Sequence, residues 1–96
     1  MKMRLITSPD SGTLEIIYAR MRGDRRKGIE HLPVGAVALV QDSISELIYD
    51  ADVALKASDV RVVELVGNCP QSVTTIAILG EIAAVKTALE AVKERQ

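Results

Sequence analysis

Cys69 is the only cysteine in a chain of 96 residues. It sits in Gly67-Asn68-Cys69-Pro70-Gln71-Ser72, between two runs with the composition of β-strands, Val60 to Val66 and Val73 to Leu79. A thiolate is both a metal ligand and a redox group. Hairpin connections usually hold about two to five residues, and this one is longer. Gly67 can take φ > 0 without steric cost. Pro70 fixes its own φ and has no N–H. Cys69, preceding a proline, is pushed toward extended backbone. These residues predict a stiff loop that holds one thiol at its tip. The plain alternative is a small residue packed in a turn, since free cysteine often behaves as a small hydrophobe.

No other residues assemble into a reactive set. His31 is the single imidazole, and nothing at metal-ligand spacing accompanies it. Asp50 and Asp52 are placed on different sides of a helix, so they do not form a carboxylate pair for acid–base work. There is no nucleophile–base pattern and no phosphate-cradling glycine motif. The reading is therefore of a protein that is not an enzyme. One cationic run, Arg20 to Lys27, contains Arg20, Arg22, Arg25, Arg26 and Lys27 among Gly23 and Asp24. It reads either as a solvated loop or as a contact for an anionic partner or a neighbouring protein.

Composition sets the frame for these residues. The length predicts a single domain over residues 1–96. With no Trp or Phe and 2 Tyr, the core must be built from Val, Ile, Leu and Ala. A domain this small buries only part of its surface alone, so oligomerisation would help it. The net charge of -1 gives no basic signal, and nucleic acid is not implied. One cysteine excludes an intrachain disulfide framework and fits a reducing cytosol. No signal peptide and no membrane span are expected.

The elements that position the loop follow from periodicity. Met3 to Thr7 reads as a short strand, ended by the turn signal Ser8-Pro9-Asp10-Ser11-Gly12. Thr13 to Met21 has helical spacing through Leu14, Ile17, Tyr18 and Met21. Val34 to Val40 is nearly all apolar, as in a strand covered on both faces. Ser43-Ile44-Ser45-Glu46 has the form of a capping box. It opens a helix to about Ser58, with Ile44, Leu47, Ile48, Ala51 and Leu55 as the inward stripe. Glu46, Tyr49, Asp50, Asp52 and Lys56 are expected to lie largely away from that stripe, spread over the rest of the helix surface. After the two strands flanking the loop comes a last helix with the stripe Ile82, Val85, Leu89 and Val92. The order β-α-loop-β-α-β-β-α contains βαββα from Val34 onward. This is a ferredoxin-like α+β antiparallel sheet with its last strand moved to the front, a circular permutation.

Three segments carry a family resemblance. Val34-Gly-Ala-Val-Ala-Leu-Val40, Ala51-Asp-Val-Ala-Leu-Lys-Ala-Ser-Asp-Val60 and Gly80 to Val92 resemble the first strand, a helix end and the last helix of bacterial microcompartment shell proteins. The N-terminal arrangement, with Ser8-Pro9 through Leu14, resembles the permuted subgroup of that family. The Gly-x-Cys-Pro pattern at Gly67 to Pro70 is similar to the iron–sulfur-binding branch associated with glycyl-radical enzyme microcompartments.

The resemblance implies a structural protein of a cytoplasmic microcompartment shell. It implies a homo-hexamer tiled edge to edge with other shell proteins, near enclosed enzymes or a redox partner. Lys56 takes the position of the family's inter-hexamer edge lysine. Gly67, Asn68, Pro70, Gln71 and Ser72 take the place of its pore-lining loop, and Cys69 that of a metal ligand. One thiolate cannot hold an iron–sulfur cluster, which takes about four ligands, whereas a ring brings several copies of Cys69 to one axis. A [4Fe-4S] cluster used for electron transfer across the shell is the implied cofactor, oxygen-labile, so that an aerobic preparation need not retain it. A metal-free pore for small metabolites is the alternative. A ferredoxin-like regulatory module that binds a ligand at a subunit interface is a further one.

Overall fold

The computed structural model describes residues 1–67 and 73–95. Its elements are β1 (Lys2–Thr7), α1 (Ser11–Ala19), a short 3-10 turn (Arg26–Gly28), β2 (Ala36–Ser43), α2 (Ile44–Ala57), β3 (Arg61–Leu65), β4 (Val73–Gly80) and α3 (Ile82–Glu94). The order expected from the sequence is the order found. The sheet runs β1-β2-β4-β3, and every pairing is antiparallel. β1 lies beside β2, with Lys2 opposite Gln41 and Thr7 opposite Ala36. That is the place the final strand takes in a βαββαβ unit, so the first strand of this chain closes the sheet that its last helix leaves open.

Alternation along the strands sends neighbouring residues to opposite faces. On one face, Ala36, Ala38, Val40, Ile76 and Ile78 meet Leu47 and Ala54 of α2 and Val85, Ala88, Leu89 and Val92 of α3. On the other, Val37, Ala77, Leu79, Val63 and Leu65 meet Ile17, Tyr18, Met21 and Ile29. The apolar run in β2 is thus covered on both sides. Gly35 is required by close approach, because a Cβ there would stand 3.0 Å from the backbone nitrogen of Ile82 at the start of α3.

Several boundaries move for identifiable reasons. α1 begins at Ser11 because Asp10 caps it, its carboxylate accepting from the Gly12 N–H at 2.9 Å. β2 continues past Val40 because Gln41, Asp42 and Ser43 pair with Thr75, Thr74 and Val73. Met21 is not helical but forms an isolated bridge with Leu65.

The capping box does not form. Ser43 has the backbone of an N-cap but makes no side-chain cap hydrogen bond, and Glu46 pairs with Arg95 instead.

The larger correction concerns the inward face of α2. Its buried residues are Leu47, Asp50 and Ala54. Ile44, Ile48 and Leu55, expected inside, are 51%, 67% and 53% exposed, and Asp50, expected outside, is fully buried. The helix rests on the narrow edge formed by Leu47, Asp50 and Ala54. Its broad apolar stripe faces away from the chain's own core.

Candidate functional site

β3 and β4 are adjacent antiparallel strands, paired from Arg61 opposite Leu79 to Leu65 opposite Thr75. Their connection therefore leaves one end of the sheet, with Ser43 and the start of α2 beside it. Cys69, expected as a metal ligand, and Asn68, Pro70, Gln71 and Ser72, expected to line a pore with Gly67, lie outside the described residues. Gly67 is described and exposed, and a Cβ added there would meet nothing within 4 Å. Among the described residues, no group of three or more His, Cys, Asp or Glu could hold a metal ion. The strand end before the connection is braced from α1: Val66 N donates to Arg20 O at 2.8 Å, and Arg20 Nη1 donates to Val66 O at 3.2 Å.

Lys56 lies near the end of α2 with its side chain 77% exposed, and its Nζ is 2.8 Å from Asp52 Oδ2. The hydrogen bond and charge of Asp52 raise the lysine's pKa above its ordinary value, which keeps it cationic. The sequence places Lys56 and Asp52 on the outer side of α2, and that is where they are. His31 is exposed in the connection before β2.

A polar cluster gathers at the end of α3, from residues far apart in the chain. Arg95 Nε donates to the fully buried carboxylate of Asp50. Its Nη1 lies 3.1 Å from Glu46 Oε1, and its guanidinium lies 4.8 Å from the centre of the Tyr49 ring. Both carboxylates raise the Arg95 pKa, Asp50 most strongly. The only advance sign was the position of Arg95 at the end of the last helix.

Beside this cluster runs the uncovered stripe of α2. Ile44, Leu47, Ile48 and Ala51 form one wall of an open apolar groove of about 220 Å³, and Val62, Glu64, Thr74 and Ile76 form the other. A second cleft of about 270 Å³, at the opposite end of the sheet, is lined in part by Asp59, Arg61 and Glu81.

The family model of the BMC domain matches residues 35–96. The chain belongs to the BMC domain family. As a BMC shell protein it is a structural component of a microcompartment shell and not an enzyme. The ligand-free structure of the GrpU microcompartment shell protein from Pectobacterium wasabiae is 33% identical, with a TM-score of 0.75 over 96% of this chain and 99% of that one. The GrpU shell protein from Clostridiales bacterium 1_7_47FAA is 27% identical, with a TM-score of 0.70 over 99% of this chain and 94% of that one. Both extend the likeness through β1 and α1, which precede the BMC match. The fused permuted hexameric shell protein MSM0275 shares the fold, with 22% identity and a TM-score of 0.72 over 98% of this chain and 44% of that one. No curated protein sequence matches. No helix among the described residues is long and apolar enough to cross a membrane.

Proposed function

We propose that this BMC domain closes into a cyclic homo-hexamer that tiles edge to edge with other shell proteins through Lys56. The observation that carries the assembly reading is the outward stripe of Ile44, Ile48 and Leu55 on α2. Exposed apolar stripes of this kind mark interaction surfaces, and a ring needs such a surface to meet a different one on the next copy.

In the ring, residues 67–72 line the central pore, and copies of Cys69 bind a [4Fe-4S] cluster. Such a cluster would supply one-electron transfer across the shell. Supporting this reading, the one thiol of the chain lies in the connection between two adjacent strands, whose ends leave a single end of the sheet.

The deciding sample is the full chain prepared without oxygen, analysed for oligomer mass, iron and the visible absorption of a sulfur-ligated cluster. A hexamer with iron, and a Cys69→Ser hexamer without it, is the expected result. A hexamer free of iron after anaerobic reconstitution eliminates the cluster and leaves the metal-free pore. A monomer or dimer eliminates both.

A further inference from the structure

The structure divides the cationic run into two kinds of residue. Arg26 is engaged within the chain: its Nη2 is 2.6 Å from Glu15, its Nε is 2.5 Å from Glu30, and its guanidinium lies 5.8 Å from the centre of the Tyr18 ring. Lys27 pairs with Asp24 at 3.7 Å. Arg20, Arg22 and Arg25 are exposed and enter no ion pair among the described residues.

Backbone contacts nevertheless fix where these three stand. Arg20 O accepts from Val66 N, and Met21 is bridged to Leu65; the Arg20 guanidinium gives one N–H, on Nη1, to Val66 O and keeps its others. Arg25 N donates to Arg22 O at 3.1 Å, closing a turn in which Gly23 has a φ of 54°, a conformation that favours glycine. The Cα atoms of Arg22 and Arg25 are therefore within about 7 Å of each other, one residue beyond the bridge to β3.

We propose that Arg20, Arg22 and Arg25 form a docking surface for an acidic segment of another protein, at the point where β3 passes into the connection at 68–72. The guanidinium fork suits carboxylates, which it can bind through two parallel hydrogen bonds. A mount fixed by backbone contacts reduces the ordering cost of binding. The chain as a whole carries a charge of -1, so the attraction is local. A patch drawn from one turn and one helix end fits a short run of carboxylates. A nucleic acid presents an extended polyanion and rewards a wide basic surface. The surface exists in a single copy of the chain, so it does not depend on ring closure, although a ring would repeat it and add avidity.

The test titrates the full chain with a short polyglutamate peptide, and in parallel with inorganic phosphate and a single-stranded oligonucleotide, while oligomer mass is recorded. Peptide binding is expected to weaken with added salt. The combined Arg20→Gln, Arg22→Gln and Arg25→Gln change is expected to weaken it about tenfold or more, with mass unchanged, and Arg22→Gln with Arg25→Gln alone, which leaves the Arg20–Val66 bond in place, should weaken it in the same direction with the unfolding midpoint unchanged. Exposed cations elsewhere serve as the control, and Lys86→Gln with Lys93→Gln should leave the peptide affinity intact. Absence of peptide binding overturns the proposal, as does an equal loss in the control. Tighter binding of phosphate or of the oligonucleotide than of the peptide overturns it as well. The mass record keeps a failure of assembly separate from a failure of docking.

Discussion

Asp50 and Arg95 show what a single residue pair does here. Asp50 is fully buried, Arg95 reaches it from 45 positions away in sequence, and Asp50 Oδ2 has no hydrogen-bond partner among the described residues. A buried carboxylate with its partner removed is far costlier than no carboxylate at all. Arg95→Met should therefore lower the urea midpoint strongly. The double change Arg95→Met with Asp50→Leu should recover most of the loss. Equal midpoints for the single and double variants would show that the pair carries no such coupling. Helical spacing put Asp50 among the solvated residues of α2, because it lies well off the stripe of Ile44, Leu47, Ile48, Ala51 and Leu55. The contact that reverses this assignment is long-range, so no local pattern in the sequence shows it.

At the level of elements, α2 separates what periodicity can and cannot decide. The stripe Ile44, Ile48, Leu55 is helical and apolar, so the helix itself was legible. Which partner the stripe faces was not, because a surface for another subunit and a surface for the chain's own core share one spacing. By contrast, Ile17 and Tyr18 of α1 and Val85, Leu89 and Val92 of α3 are buried as their stripes predict, whereas Leu14 is half-buried, Met21 is buried beyond the helix end, and Ile82 at the first turn of α3 is 38% exposed. If α2 is an assembly surface, Ile48→Glu should raise the subunit dissociation constant about a hundredfold or more, a hot-spot effect of roughly 2.7 kcal/mol. Its own unfolding midpoint should hardly change, because Ile48 is 67% exposed in the single chain. Sedimentation across a dilution series distinguishes this from a stripe of no consequence, which would leave the mass as it was.

For the whole molecule, the sheet order β1-β2-β4-β3 was legible because β1 had one vacant position to fill beside β2. The same geometry implies that chain order is negotiable. A chain in which a short linker joins the end of α3 to the start of β1, opened instead within residues 22–35, should give the same sheet and the same assembled mass. Circular dichroism and sedimentation would detect a failure. What composition and spacing left open in the candidate site is the company Cys69 keeps, since a thiol contributed once per chain meets further thiols only in other copies.

The position of the chain ends has a practical consequence for labelling. Lys2 stands opposite Gln41, and Arg95 is held against Glu46 and Asp50, so both ends depart from the end of the sheet where Ser43 meets Val73. A fluorescent or affinity tag on either terminus would emerge at the same end of the sheet as the ends of β3 and β4 that the thiol-bearing connection joins.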